Sequence, residues 1–86
     1  MPEVSRFFGI IVRMFFADHP PPHFHADYGG RAAVVAISPL AVLESDLPGR
    51  ALAMVLERAA CISRSLLEDW ERLRSGQPLV KIPPLT

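Results

Sequence analysis

The sequence predicts an α+β domain: a three- or four-stranded antiparallel β-meander with one long C-terminal α-helix packed on one face. Between residues 7 and 44, apolar and β-branched runs alternate with turn residues, which is typical of short strands. From about 47 to 74, apolar residues recur three and four positions apart, which is typical of an amphipathic helix. The 86 residues suffice for one domain, so we expect a single domain over 1–86.

The first predicted strand covers residues 7–16 and is rich in aromatic and β-branched side chains. Its even-numbered residues are predicted to point to one side and its odd-numbered residues to the other, and both sides are largely apolar. One helix covers only one face of a sheet. A monomer would therefore expose the apolar residues of the second face: Phe7, Ile11, Phe15 and Val34. We expect a homodimer or a complex with a small partner protein.

A proline-rich loop from Asp18 to Pro22 separates this strand from a predicted hairpin. The second and third strands cover 23–28 and 31–37, joined by a two-residue turn at Gly29-Gly30. This turn pairs Tyr28 with Arg31, which determines the two faces of the hairpin. The core face then holds Phe24, Ala26, Tyr28, Ala33, Val35 and Ile37. The opposite face holds His23, His25 and Asp27 beside Ala32, Val34 and Ala36.

Residues 40–44 are predicted as a fourth short strand or, alternatively, a helical turn. The helix is predicted over about 47–74, with Pro48 in its first turn, where the missing N–H costs nothing. Its apolar stripe includes Trp70, Cys61 is placed on the apolar side, and Arg58 is assigned to the solvated side. Gly76 ends the helix, and an extended tail covers 77–86.

Composition restricts the function classes. Nine Lys plus Arg balance nine Asp plus Glu, so the basic excess typical of nucleic-acid binding is absent, and charge does not indicate such a partner. The first residues are not a basic leader, and the apolar run over 7–16 is shorter than the roughly 20 residues that span a bilayer. We expect a cytoplasmic protein without a membrane segment.

The three histidines lie in one stretch, Asp18–Gly30, which is the candidate functional region. His23 and His25 share a strand face with Cα atoms about 6.6 Å apart, a spacing compatible with two ligands of one metal. Asp27 continues the face as a candidate third ligand. An extended proline run would put His19 about 12 Å from His23, which fits a shared site less well. No cofactor is predicted.

Acid–base chemistry is the alternative for the same face. A histidine beside Asp27 and an arginine could serve phosphodiester cleavage, with Arg13 stabilising the developing charge if the first strand pairs beside the second. The candidate catalytic residues are therefore His23, His25, Asp27 and Arg13. Tyr28, Arg31 and His19 are candidate binding residues. A third interpretation gives these histidines a purely structural role: His23 and His25 form hydrogen bonds that hold the proline loop against the hairpin.

Several segments resemble a family of small bacterial proteins of unknown function, marked by the stretch DHPPPHFHA-x-YGG. The matching segments are Ser5–Ile10, Asp18–Ala26, Tyr28-Gly29, Leu47–Leu52 and Leu67–Glu71. The resemblance implies genes encoded beside another small domain, an arrangement similar to toxin–antitoxin modules. A looser similarity, at fold level only, is to the RNA-cleaving HicA-type toxins, whose N-terminal helix and Gly-Ser-His pattern this chain lacks.

Three functional hypotheses follow. The first is a protein-interaction component of a bacterial two-gene, toxin–antitoxin-like module without catalysis of its own. The second is a small metal-independent ribonuclease using His23 or His25. The third is a metal-binding module built on His23, His25 and Asp27.

Overall fold

The computed structural model describes residues 3–15 and 19–82. It contains one antiparallel sheet of five strands, arranged in chain order, and one long helix. The elements are β1 (Glu3–Phe7), β2 (Ile10–Arg13), β3 (His23–Tyr28), β4 (Arg31–Ile37), β5 (Leu40–Ser45) and α1 (Gly49–Arg74). The α+β class and the C-terminal helix are confirmed, and the sheet has one strand more than the largest number predicted.

The additional strand arises because the predicted first strand is a hairpin. Its N-terminal residue, Phe7, ends β1 and pairs with Ile10, the first residue of β2. Phe8 and Gly9 form the turn between them with φ of 50° and 77°. Positive φ at both central residues is the geometry of a type I′ turn, whose right-handed twist suits a two-residue hairpin. A phenylalanine at the first turn position hides this turn from sequence patterns.

The turn exchanges the predicted roles of two phenylalanines. Phe7 was expected on the exposed face but is buried in the core, whereas Phe8 is 77% exposed. Beyond the turn the alternation holds: Ile10, Val12 and Met14 are buried. The other apolar residues expected to be exposed, Ile11, Phe15 and Val34, are half-buried. Phe16 and Asp18 lie outside the described residues.

The β3–β4 hairpin has the predicted register, with Tyr28 opposite Arg31 and Phe24 opposite Val35. Five of the six predicted core residues are buried: Phe24, Ala26, Ala33, Val35 and Ile37. Tyr28 is the exception and is 38% exposed, because it is the last residue of β3, next to the turn. Residues 40–45 form a strand and not a helical turn.

The helix begins two residues later than predicted because Pro48, with ψ of 146°, is its N-cap rather than a first-turn residue. Its apolar stripe packs on the sheet, with Val55, Ala59, Leu66 and Trp70 buried. Two side assignments were wrong: Arg58 is buried and Cys61 is exposed. The backbone is non-helical at Ile62, where two helical segments meet in a kink. No described helix is long and apolar enough to cross a membrane.

The C-terminal tail returns to the sheet and lies along β1. The Ile82 N–H donates to the Val4 carbonyl at 2.7 Å, and the Ser5 hydroxyl donates to the Ile82 carbonyl at 3.2 Å. Glu3 pairs with Arg6 and with Lys81 of the tail. The Arg6 hydrogen bond holds the pKa of Glu3 below its usual value of 4.5, so this contribution to stability is lost as pH falls below that value. The tail thus covers the β1 edge of the sheet.

Candidate functional site

Strand alternation places the predicted catalytic residues Arg13, His23, His25 and Asp27 on the side of the sheet opposite Phe24 and Ala26. Strand β2 pairs with β3, so that Arg13 lies opposite His25 and Ile11 lies opposite Asp27. The Arg13 Nε atom is 2.8 Å from Asp27 Oδ2. Both side chains of this ion pair are partly exposed, at 23% and 39%, so its energy is screened by water. The expectation that Arg13 reaches this face depends on β2–β3 pairing, and that pairing is present.

Four aromatic rings form a continuous row along β3. Phe15 and His25 have ring centroids 4.6 Å apart, and His25 and His23 are 5.3 Å apart. His23 in turn lies 5.1 Å from Trp70 of the helix. We call Phe15, His25, His23 and Trp70 the ring row. It connects the half-buried outer face of the sheet with a tryptophan that is only 2% exposed.

The orientation of His23 is set by the proline loop. Its Nδ1 atom lies 2.8 Å from the carbonyl oxygen of Pro21. Because a carbonyl only accepts hydrogen bonds, Nδ1 carries the proton, and in the neutral ring Nε2 is then the basic nitrogen. The Ile37 N–H donates to the carbonyl of Pro22 at 3.0 Å and so ties the same loop to β4. The loop therefore determines both the tautomer and the position of His23.

The helix contributes to this region through two neighbouring residues. Trp70 meets His23, and its indole Nε1 is buried without a hydrogen-bond partner in the described part of the chain. Asp69 is completely buried, and its Oδ1 accepts from the Val80 N–H at 2.9 Å and from Arg72 at 2.7 Å. One helical turn thus contacts both the ring row and the tail.

Two members of this region were not singled out from the sequence as site residues. Phe15 is two residues after Arg13, and strand alternation already places it on the same face. Trp70 follows the helical spacing of a core residue, and no sequence pattern signals its contact with His23.

The three predicted binding residues do not join the ring row. His19 is exposed in the proline loop, and no ring contact found within residues 3–15 and 19–82 includes it. Tyr28 and Arg31 are exposed at the opposite end of β3 from His23. The ring row therefore contains none of the three predicted binding residues, although Tyr28 directly follows Asp27 in β3.

The candidate metal ligands His23, His25 and Asp27 are not grouped as a set of three. Among the described residues, no group of three or more His, Cys, Asp or Glu side chains is placed to hold a metal ion. Asp27, the predicted third ligand, directs Oδ2 to Arg13 instead. This side of the sheet carries the Arg13 guanidinium, the imidazoles of His23 and His25, the phenyl ring of Phe15 and the carboxylate of Asp27.

Comparison with known proteins places the chain in a family. No curated protein and no solved structure matches it significantly. Residues 9–71 match a family described as a domain of unknown function, DUF4160. The matched segment runs from the β1–β2 turn to the helical turn that holds Trp70, and so includes the ring row. Because this match covers more than half of the 86 residues, the chain belongs to the DUF4160 family of unknown function.

Proposed function

We propose that this protein is the interaction component of a bacterial two-gene module similar to toxin–antitoxin systems. It acts by binding another chain, either a second copy or a small partner protein, without catalysis of its own. The observation that carries this proposal is the open edge of strand β5. The resemblance to small bacterial proteins encoded beside another small domain supports the two-gene arrangement.

Strand β5 is exposed along its whole length. All six of its residues are exposed, and three are large and apolar: Leu40 at 37%, Val42 at 40% and Leu43 at 52%. Val42 lies opposite Val35 and Leu40 opposite Ile37, both buried core residues. The core face of the sheet therefore continues onto β5, where these apolar side chains are exposed. Apolar side chains in this position are typical of an interaction surface.

The two edges of the sheet differ. Strand β1 is covered by the tail, whereas within the described residues no backbone hydrogen bond reaches the outer edge of β5. An unpaired edge is a template for strand addition, and proteins commonly blunt such edges with lysine or proline. Residues 40–45 contain neither. A bulge at Leu43, between the Val42 and Glu44 pairs, leaves this leucine without a cross-strand partner on β4.

Substituting Leu43 with lysine tests this edge. We expect Leu43→Lys to weaken self-association or capture of the co-expressed neighbouring gene product by about tenfold or more, because strand addition would bury the charge. Light scattering at tens of micromolar and co-purification measure the two forms of binding. Val80→Lys is the matched control, because Val80 is 55% exposed on the tail. A clean monomer that captures no partner, or binding that both variants leave unchanged, would contradict the proposal.

A second candidate function is metal-independent RNA cleavage, favoured by the grouping of Arg13 with two histidines. The 2′-hydroxyl of the RNA would attack the adjacent phosphorus while one imidazole accepts its proton. The P–O5′ bond then breaks, and a protonated imidazole supplies the proton to the leaving oxygen, which produces a 2′,3′-cyclic phosphate and a 5′-hydroxyl. Arg13 would stabilise the charge that develops on the phosphoryl oxygens.

His25→Ala should abolish this cleavage with the fold intact, because His25 is the histidine paired in register with Arg13. The assay uses end-labelled single-stranded RNA, with a 2′-O-methyl strand that cannot form the cyclic product. His19→Ala is the matched control, since His19 is exposed outside the ring row. Equal cleavage by His25→Ala and wild type, or cleavage of the methylated strand, would exclude this mechanism.

A further inference from the structure

We propose that the two hairpin turns at one end of the sheet form a docking surface for an acidic, apolar segment of a partner protein. This surface consists of Phe8, Gly9, Tyr28 and Arg31, and we call it the aromatic tip. The inference rests on the proposed interaction function and specifies a second contact surface, separate from the β5 edge. It commits to a protein partner whose segment carries carboxylates between apolar side chains.

Strand pairing brings the two turns together. Ile11 lies opposite Asp27, so Gly9 of the first turn comes next to Tyr28 at the end of β3. A Cβ atom added to Gly9 would lie 3.6 Å from Cε1 of Tyr28, so the tyrosine ring lies across the glycine. Arg31 pairs with Tyr28 across the second turn. Residues far apart in sequence thus form one continuous surface.

The backbone at Phe8 is strained. Its φ of 50° lies in the left-handed region, which is unfavourable for an L-amino acid with a bulky side chain. Asparagine or glycine occupies this position of a type I′ turn without that cost. Phe8 also buries little of its ring, which is 77% exposed, although its edge meets the ring of Phe7. A strained residue that contributes little to the core points to a function for its exposed side chain.

The residue types and exposure fit a protein interface. Tyrosine and arginine are strongly enriched among residues that dominate binding energy, and aromatic residues in general are enriched at interfaces. Tyr28 is 38% exposed although its position in the strand alternation is a core position. Phe8 and Tyr28 together place two large, exposed rings at one end of the sheet.

The charge of the tip indicates an acidic partner. Within the described residues Arg31 forms no ion pair, whereas Arg6 and Arg13, the other sheet arginines, pair with Glu3 and Asp27. Ala32 follows Arg31 in β4, and its N–H donates to the carboxylate of Asp46 at 2.8 Å. This acidic side chain is therefore already occupied by a backbone donor. Arg31 therefore remains available for a carboxylate brought by a partner, beside two apolar rings.

Three fluorescent probes test this surface by anisotropy. The first is a twelve-residue peptide that repeats Asp-Leu-Glu-Leu, the second replaces its acids with lysine, and the third is an oligouridine of twelve nucleotides. We expect the full-length protein to bind the acidic peptide at least tenfold more tightly than either other probe. Arg31→Glu should remove this preference, whereas Arg64→Glu, on the exposed helix surface, should not. Tighter binding of the oligouridine, or no preference, overturns the proposal.

Phe8→Asn separates binding from folding. Asparagine relieves the strained turn, so we expect an unchanged melting temperature or a rise of up to about 4 °C, together with at least fivefold weaker binding of the acidic peptide. A lower melting temperature with unchanged peptide binding would show that Phe8 has only a structural role and overturn the proposal. If complex formation depends on Leu43 while the peptide shows no preference, the tip proposal fails and the interaction function stands.

Discussion

Phe24→Ala is expected to lower the free energy of unfolding by about 3–5 kcal/mol, because the ring is removed from a closely packed core. Phe24 is 1% exposed and is among the largest fully buried side chains of the described chain. A loss of this size is comparable to the total stability of a small domain, so much of the protein should be unfolded at 37 °C. Thermal denaturation by circular dichroism should show a melting temperature lowered by roughly 12 °C or more.

This substitution also tests how the ring row is positioned. Phe24 lies between His23 and His25 in β3 and points to the opposite face, so its burial fixes the strand alternation that positions both histidines. Tyr28→Ala is the matched control on the same strand and should cost about 1 kcal/mol or less, because Tyr28 is partly exposed. Equal losses for the two variants would argue against a core built on Phe24.

Asp69→Ala is expected to cost about 2–4 kcal/mol and to release the tail. The carboxylate is fully buried, and its removal leaves the Val80 N–H and Arg72 without their acceptor. Since this contact anchors the segment before Ile82, the tail should separate from β1 more readily than in the wild type. Limited trypsin digestion, followed by mass spectrometry, should show faster cleavage after Lys81 at a temperature where the domain remains folded.

Glu68→Ala provides the comparison for Asp69, because Glu68 is the adjacent residue on the same helix and is exposed. The Glu68→Ala variant should have the melting temperature and the rate of cleavage after Lys81 of the wild type, as is usual for substitutions at exposed positions. If Asp69→Ala behaves in the same way, Asp69 does not anchor the tail. If it lowers stability without accelerating cleavage at Lys81, the carboxylate supports the helix and not the tail.

The β3–β4 hairpin was the most predictable part of the fold because its determinants are local. Gly29 and Gly30 have φ of 56° and 80°, the positive values that a two-residue hairpin turn requires. Once the turn is located, alternation assigns every side chain of both strands to a face. The grouping of His23, His25 and Asp27 opposite Phe24 and Ala26 followed from this step alone.

The β1–β2 hairpin was not predictable in the same way, because its turn contains Phe8 where asparagine or glycine is usual. An aromatic residue among apolar neighbours favours a continuous strand, so the sequence predicts one element over residues 7–16. That error also reversed the faces of Phe7 and Phe8. It concealed the aromatic tip, which exists only because the chain reverses at this point.

The sequence by itself determined the α+β class, the helix, the register of one hairpin and the face that carries the histidines. These properties follow from periodicity and turn chemistry, which act over a few residues. Tertiary structure alone decided that Trp70 meets His23, that Asp69 anchors the tail and that Ser5 bonds Ile82, 77 residues away. Such contacts depend on how the kinked helix and the tail fold back onto the sheet. The same folding covers the β1 edge, because the tail returns to β1, and within the described residues it leaves the outer edge of β5 without a backbone partner.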